Sequence, residues 1–166
     1  MKSEPALVIN GWVILAHAQF LDALDALVAE VEALRAQDAA GYRGKNATKR
    51  LAAIAKLAFE VIPQDPTRPE YRLGGALGEE HRHWFRAKFF QQYRLFFRFH
   101  RASKTIVYAW VNDEKTKRAY ERPTDAYAVF RRRLAKGKPP DDWDTLLNEA
   151  KRESSRLARA AGKITR

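Results

Sequence analysis

Residues 84–112 alternate apolar residues with polar or cationic ones, and this pattern limits the possible folds more than any other feature of the chain. Successive side chains of a β-strand point to opposite faces, so a two-residue period indicates strands. The pattern is interrupted at 91–92 and 102–104 by segments short enough for hairpin turns. We therefore predict three consecutive antiparallel strands, at residues 84–90, 93–101 and 105–112.

The first two of these strands each have one apolar face and one face that carries the cations. The apolar faces consist of Phe85, Ala87 and Phe89, and of Tyr93, Leu95, Phe97 and Phe99. The opposite faces consist of Trp84, Arg86 and Lys88, and of Arg94, Phe96, Arg98 and His100. Pairing like faces predicts a core under helices on one side of the sheet. It also predicts an open surface on the other side, with four clustered cations: Arg86, Lys88, Arg94 and Arg98.

The charge of this region indicates a polyanionic partner. Residues 81–112 contain seven Lys or Arg and no carboxylate, in a chain of 166 residues with a formal charge of +11. Clustered cations without counter-charges favour phosphates, and exposed aromatic rings can stack on unpaired bases. The candidate rings are Trp84, Phe96, Tyr108 and Trp110. The alternative is an ordinary solvated basic face, which many soluble proteins have.

The sequence before residue 84 predicts one strand, two helices and a loop. Residues 8–15 are rich in Val and Ile and indicate a strand. Apolar residues at helical spacing over 20–34, with acidic residues between them, indicate an amphipathic helix. A second helix over 47–61 ends at Pro63, and the Pro- and Gly-rich segment 63–83 is a loop. The outer face of the second helix carries Lys45, Lys49, Arg50 and Lys56.

Two further helices are predicted after the strands. Thr124 or Asp125 can cap the first, which Gly137 closes, and the second begins at Asp141 or Asp142. The tail from about Arg152 is basic and weakly apolar, and the sequence does not decide whether it is ordered or frays. The result is a single α+β domain over residues 1–166, with a small antiparallel sheet of four strands. Two N-terminal helices cover one face of this sheet, the C-terminal helices follow it, and the other face is open.

Several kinds of site and location are excluded or disfavoured by composition. The chain has no cysteine, so disulfides and thiolate metal sites are impossible. The pair His81 and His83 is more typical of a solvated loop than of a metal site. No segment approaches the ~20 apolar residues of a membrane span. We therefore predict a cytoplasmic protein without a membrane partner or a metal site.

The segment 112–120, "NDEKTKRAY", follows the third strand and permits two interpretations. Asp113 or Glu114 beside several cations would have a lowered pKa, which suits a general base or an orienting group. Alternatively, Asn112 or Asp113 caps a short helical turn and has no chemical role. The sequence alone does not separate these two possibilities.

A set of motifs resembles the YhaV toxins of type II toxin–antitoxin systems. The motifs include "NGWVILAH" (10–17), "YRLFFRF" (93–99), "WVNDE" (110–114) and "TDAY" (124–127), and "RAY" (118–120) and "PPDDW" (139–143) also fit. The similarity extends over residues 8–150, and this family is similar to the RelE superfamily of bacterial ribonucleases. The resemblance implies a RelE-like microbial ribonuclease fold, whose element order matches the one predicted above.

The resemblance also implies an activity. The expected activity is that of a metal-independent endoribonuclease without a cofactor. It would cleave mRNA, either free or on the ribosome, and halt translation and growth. A ribose 2′-hydroxyl would attack the adjacent phosphate, which requires cations for the phosphorane charge and an acid/base pair. The alternative is a non-catalytic basic protein of the same fold that binds RNA or the ribosome.

Site residues can be carried over where the motifs match. Arg86, Lys88, Arg94 and Tyr120 match basic and tyrosine positions of RelE-like toxins. Asn112, Asp113 and Glu114 depart from the family pattern, so Asp113 or Glu114 would act as general base or orient Arg94 or Lys88. The expected RNA-binding residues are Trp84, Arg98, His100, Trp110, Asn112 and Arg118.

The resemblance further implies a protein partner. A PrlF-type antitoxin with an AbrB-like fold is expected to bind the toxin and silence it. Its acidic or amphipathic surface would mask the cationic face, and operator DNA would be contacted only through this antitoxin.

Overall fold

The computed structural model describes residues 6–164. The strands are β1 (Val8–Ile9), β2 (Trp12–Ala16), β3 (Phe85–Phe89), β4 (Tyr93–His100) and β5 (Thr105–Val111). The helices are α1 (Ala18–Gln37), α2 (Asn46–Lys56), α3 (Ala126–Ala135), α4 (Trp143–Lys151) and α5 (Ser154–Ile164). The predicted α+β class is confirmed. No helix within the described residues combines the length and the apolar character needed to cross a bilayer.

The strands form one mixed sheet in the order β1-β2-β5-β4-β3. Strands β3, β4 and β5 are the predicted antiparallel meander, and each of their ends lies within one residue of its predicted position. Strand β2, however, runs parallel to β5, so the prediction of an antiparallel sheet is wrong for this pair. Helices α1 and α2 lie between β2 and β3 in the chain, and a crossover of this kind permits parallel pairing.

The first predicted strand is in fact a hairpin. Strands β1 and β2 pair antiparallel, with Ile9 opposite Trp12, and only Asn10 and Gly11 lie between them. Both turn residues have positive φ, 50° for Asn10 and 81° for Gly11. An Asn-Gly pair favours this type of two-residue turn because both residues tolerate left-handed conformations. The prediction of one continuous strand over 8–15 overlooked this signal.

Helices α1, α2 and α5 pack on one face of the sheet. The buried residues of this core include Phe20 and Leu24 of α1, Ile54 of α2, and Leu95 and Phe97 of β4. Their helical or two-residue spacing is the pattern from which the elements were predicted.

The basic tail is an ordered helix that belongs to this same core. Leu157 and Ala161 of α5 are buried in it, so the tail, whose order the sequence left open, is part of the folded domain. Arg156 Nη2 forms ion pairs of 2.7 Å with Asp22 and Asp25 of α1. The acidic face of α1 therefore provides counter-charges for the basic helix, in addition to its apolar contacts with the core.

The opposite face of the sheet is covered as well, by α3 and α4. A second core contains Trp84, Phe96 and Trp110 from the sheet side, and Phe130 and Leu146 from these helices. Ring centroids of Phe96 and Phe130 lie 4.2 Å apart in a stacked arrangement. The prediction of an open face is therefore wrong: the large rings that alternate with the cations on this face require burial as much as those on the other.

A π-helical turn over Leu57–Val61 extends α2 towards Pro63. The N–H of Ile62 donates to the carbonyl of Leu57, five residues earlier, so the next carbonyl, of Ala58, would pair with residue 63. Proline has no N–H, and the hydroxyl of Tyr108 donates to this carbonyl instead, at 2.5 Å. Burial raises the pKa of Tyr108 well above its usual range, which keeps the hydroxyl protonated as a donor.

Candidate active site

Three arginines surround one tyrosine at the end of the sheet where β3 and β4 are joined. The Nε atoms of Arg86 and Arg94 each donate to the hydroxyl of Tyr127, at 3.0 Å. The guanidinium carbon of Arg118 lies 4.7 Å from the centroid of the Tyr127 ring. We refer to Arg86, Arg94, Arg118 and Tyr127 as the arginine hub.

Asp125 fixes the position of Tyr127 and connects it to Arg118. Its Oδ2 accepts from the backbone N–H of Tyr127 at 3.1 Å, which caps the N-terminus of α3. Its Oδ1 accepts from the backbone N–H of Ala119 at 2.7 Å and from Nη1 of Arg118. One buried carboxylate therefore holds both the helix and the segment after β5 against the hub.

Backbone carbonyls hold the other two guanidinium groups. Nη1 of Arg86 donates to the carbonyls of Glu70, at 3.1 Å, and Arg72, at 2.5 Å. Nη1 of Arg94 donates to the carbonyls of Gln91 and Tyr93, at 2.8 and 2.9 Å. Both side chains are therefore oriented before any ligand binds.

The charges of Arg86 and Arg94 have no carboxylate partner within residues 6–164. The ion pairs there involve other cations, and Nη2 of neither arginine has a hydrogen-bond partner in that part of the chain. Arg94 is only 7% exposed, and a buried charge without a counter-charge is costly. The hub is therefore suited to an anion, and its guanidinium donors cannot coordinate a metal ion.

Lys88 and Tyr120 are the exposed groups beside the hub. Lys88 is directly opposite Arg94 in the β3–β4 register and shares its face of the sheet. Tyr120 is 80% exposed, and its ring lies 3.9 Å from the guanidinium carbon of Arg118. The structure therefore brings together the predicted residues Arg86, Lys88, Arg94, Arg118 and Tyr120.

Asp113 and Glu114 do not join this group. Asp113 Oδ1 accepts from the N–H of Lys115 at 3.0 Å and from the hydroxyl of Thr116 at 2.8 Å, which makes it the cap of a short helical turn. Glu114 lies 3.8 Å from Nη2 of Arg50, and neither carboxylate contacts Arg94 or Lys88. The sequence left two interpretations of segment 112–120 open. The structure agrees with the capping interpretation, in which Asp113 caps a short helical turn.

The sequence suggested that Arg50 lies on the outer face of its helix, but the structure shows it buried. It is 3% exposed, lies 3.7 Å from Glu30, and its guanidinium carbon is 5.1 Å from the centroid of the Tyr93 ring. With Glu30, Asp113 and Glu114 it lines a cavity of about 350 Å³ between α1, α2 and the end of β5. This cavity is lined by a different set of residues from the hub.

Asn112 is a structural residue. Its Oδ1 accepts from the backbone N–H of Arg94 at 2.7 Å, and its Nδ2 donates to the carbonyls of Gln92 and Thr116. The side chain is buried and saturated with protein partners, so the expected RNA contact does not fit it. Its effect on the hub is to fix the backbone from which Arg94 projects.

The expected stacking of bases on aromatic rings is also wrong for the four candidates. Trp84, Phe96, Tyr108 and Trp110 are all buried and offer no ring face to a base. They form the two cores instead.

Arg98 and His100 lie near Trp143, at the other end of β4. The guanidinium carbon of Arg98 lies 5.5 Å from the Trp84 ring and 5.3 Å from the Trp143 ring, and its Nη1 donates to the carbonyl of Asp141 at 2.7 Å. Burial lowers the pKa of Arg98. His100 is exposed, and its ring stacks on Trp143 at 5.8 Å. Neither residue is part of the hub.

Tyr127 was missed by the sequence analysis. It appeared only within the motif "TDAY", where Asp125 was recognised as a helix cap. The helix periodicity could have placed Tyr127 on the buried face of α3. Its role followed only once α3 was known to cover the cationic face of the sheet.

Comparison with known proteins agrees with the family resemblance. Residues 14–151 match a family described as a toxin with endonuclease activity, of a toxin–antitoxin system. The ribonuclease toxin YhaV of Escherichia coli strain K12 is 46% identical over 143 residues, which cover 85% of this chain and 93% of the relative. The toxin YhaV of Escherichia coli O157:H7 has the same identity and coverage. No solved structure matches the chain significantly. The chain belongs to the YhaV family of toxins, which have endonuclease activity within toxin–antitoxin systems.

Proposed function

We propose that this toxin is an endoribonuclease that cleaves mRNA through a RelE-like transesterification at the arginine hub. The observation that carries the proposal is the pair of preoriented guanidinium groups, of Arg86 and Arg94, with no carboxylate partner in the described residues. A related protein of 46% identity is named a ribonuclease toxin, which supports RNA as the substrate.

The chemistry assigns a role to each charged group. The 2′-oxygen attacks the phosphorus, the bond from phosphorus to the 5′-oxygen breaks, and a cyclic phosphate and a 5′-hydroxyl result. Negative charge grows on the phosphoryl oxygens during this step, and fixed donors at that position stabilise it without reorganisation. Nη2 of Arg86 and of Arg94 are the donors that remain for these oxygens.

Two protons must move in the same reaction. One leaves the 2′-hydroxyl and one reaches the 5′-oxygen. Lys88 and Tyr120 are exposed beside the hub and can exchange protons with solvent, so we assign the transfer to them. The Lys88 ammonium group gives its proton to the leaving 5′-oxygen. The oxygen of the exposed Tyr120 hydroxyl accepts the proton of the 2′-hydroxyl while the hydroxyl passes its own proton to solvent water. Asp113 and Glu114 are not part of this scheme because their contacts lie elsewhere.

The fold and the partners belong to the same proposal. The order of one strand pair, two helices and a three-stranded meander supports a RelE-like fold. Membership in a toxin–antitoxin system implies an antitoxin, and we propose a PrlF-type protein whose acidic surface covers the hub. An mRNA substrate, free or on the ribosome, places the toxin in the cytoplasm.

A cleavage assay tests the proposed reaction. Purified toxin is incubated with mRNA in EDTA, with and without translating ribosomes, and the new 5′ ends are mapped. We expect cuts that carry a 5′-hydroxyl in at least one of the two settings. If neither setting yields cleavage and expression leaves growth unchanged, the protein is instead a non-catalytic binder of RNA or of the ribosome.

The substitution Arg86→Ala separates catalysis from binding. One phosphate contact among several is a modest part of RNA affinity, but a donor to the developing charge is worth about 10²–10³ in rate. We therefore expect a large loss of cleavage rate with a small change in affinity. The matched control is Arg159→Ala, which removes one exposed charge from α5. Equal losses of rate and affinity in Arg86→Ala would reduce Arg86 to a simple binding cation.

A further inference from the structure

A second polar cluster lies away from the hub, where the loop before β3 meets the connection between α3 and α4. Oδ1 of Asp141 is 2.9 Å from Nδ1 of His81 and 2.9 Å from Nε2 of His83. Oδ1 also accepts from Nε1 of Trp84, at 2.7 Å. The three atoms offered by His81, His83 and Asp141 all lie within 4.8 Å of one another.

We propose that His81, His83 and Asp141 form a binding site for one divalent transition-metal ion. Two imidazole nitrogens and one carboxylate oxygen are ligands that Zn²⁺, Co²⁺ and Ni²⁺ accept, whereas Mg²⁺ and Ca²⁺ prefer oxygen alone. The spacing His-x-His places Nδ1 of one ring and Nε2 of the other on the same carboxylate oxygen. Both nitrogens are hydrogen-bond partners of that oxygen here, and a bound ion would replace the proton in each of these contacts.

Neighbouring groups already orient the carboxylate. The Trp84 indole donates to Oδ1 of Asp141, and Nη1 of Arg98 donates to the backbone carbonyl of Asp141 at 2.7 Å. Such outer contacts fix the orientation of a ligand and are typical of metal sites. Arg98 binds the backbone carbonyl and not the carboxylate, and Oδ2 of Asp141 has no hydrogen-bond partner in the described residues, so this oxygen stays available for a cation.

The site is accessible and has an open coordination position. The side chains of His83 and Asp141 are 37% and 36% exposed, so an ion can enter without unfolding of the core. Three protein ligands leave the fourth tetrahedral position for water.

The bound ion would act as a clip between two parts of the chain. His81 and His83 lie in the segment before β3, and Asp141 is 58 residues beyond His83 in the sequence. The same loop, residues 63–83, contains Glu70 and Arg72, whose backbone carbonyls accept from Nη1 of Arg86. A metal ion would therefore stabilise the loop that positions one arginine of the hub, without contact with the substrate.

Metal titration of the folded, chelator-treated toxin tests this inference. Zn²⁺ is titrated calorimetrically, and Co²⁺ is followed by its visible absorption, which reports the number and type of ligands. We expect one equivalent to bind. At a hundredfold excess of Zn²⁺ over the dissociation constant, the unfolding temperature should rise by about 5–10 °C.

Three substitutions and one control assign the ligands. His81→Asn, His83→Asn and Asp141→Asn should each weaken Zn²⁺ binding by about tenfold or more. Asp141→Asn keeps an oxygen acceptor for Trp84, and both histidines are partly exposed, so the variants remain folded. His100→Asn, at an exposed histidine outside the cluster, should bind Zn²⁺ as the unmodified toxin does. Absence of saturable binding, or unchanged affinity in all three variants, would overturn the proposal.

Discussion

The hydroxyl of Tyr127 determines how the two arginines of the hub are presented. It accepts from Nε of both Arg86 and Arg94, while backbone carbonyls accept from their Nη1 atoms. Each guanidinium therefore keeps one fixed direction. Because preorganised donors stabilise developing charge better than mobile ones, a residue without a proton to transfer can still affect the rate.

Tyr127→Phe is the substitution that tests this positioning role. The ring stays, so the core and the contact with Arg118 are retained, but both Nε atoms are left without their acceptor. We expect kcat to fall by about 10–100-fold, with RNA affinity changed much less. The control is Tyr42→Phe, because Tyr42 belongs to the turn between α1 and α2, where its ring lies near Arg35 and not near the hub. An effect confined to affinity would contradict a positioning role.

Glu114→Gln examines the carboxylate that the sequence placed among the catalytic candidates. In the structure Glu114 approaches Arg50 at 3.8 Å, on the side of the sheet that α1 and α2 cover. We therefore expect the cleavage rate to change by less than about twofold and the pH–rate profile to keep its shape. A displaced acidic limb of the profile, measured from pH 5 to 9, would restore Glu114 as a general base.

At the level of elements, α5 is the part of the chain whose order depends on charge as well as apolar contact. Arg156 pairs with Asp22 and Asp25, and Lys163 pairs with Glu32 at 2.7 Å. Exposed pairs of this kind contribute little individually. The buried Leu157, 1% exposed, is therefore the main anchor of the helix.

Leu157→Ala measures how much this anchor contributes. Removal of a buried leucine side chain costs about 2–5 kcal/mol, depending on how well the site relaxes. We expect a decrease of this size in the free energy of unfolding measured with urea. Arg159→Ala on the exposed side of the same helix should change stability by less than about 0.5 kcal/mol. If both variants are as stable as the unmodified toxin, α5 does not belong to the folded core.

Elements with a local signature could be predicted, and those that depend on distant partners could not. The meander over 84–112 follows from a two-residue period, and Asp125 and Gly137 correctly bound α3. The tail looked unstable because its apolar residues are few. Its partners on α1 are more than 130 residues away, and no local pattern connects the two segments.

The candidate site, too, could be predicted only where it depends on a local sequence pattern. Spacing placed Arg86, Lys88 and Arg94 on one face, which the register of β3 and β4 bears out. The rings of Trp84 and Trp110 were expected to be exposed because α3 and α4 had no assigned position. Tyr127 could be recognised only after those helices were placed over this face.

For the whole molecule, the distribution of charge matters more than the total of +11. Acidic residues of α1 are paired with the basic residues of α5 on one side of the sheet. On the other side, Arg86 and Arg94 have no such partners in the described residues, and Lys88 is exposed next to them. The hub and Lys88 therefore bring three cations without a carboxylate partner within residues 6–164 next to one another, which favours a localised contact with RNA over a diffuse one.

The salt dependence of RNA affinity tests this localisation. The slope of log affinity against log salt falls by about 0.7 for each phosphate of a single strand that the protein no longer neutralises. We expect Lys88→Ala to reduce the slope by about this amount, because Lys88 is exposed beside the hub. The control, Arg159→Ala, should leave the slope unchanged, because Arg159 lies on α5. The slopes are measured by fluorescence anisotropy with a non-cleavable RNA analogue. If both variants lower the slope equally, RNA contacts the basic surface as a whole. The hub would then contribute no more to RNA binding than other cations do, and its role would be limited to the phosphate that is cut.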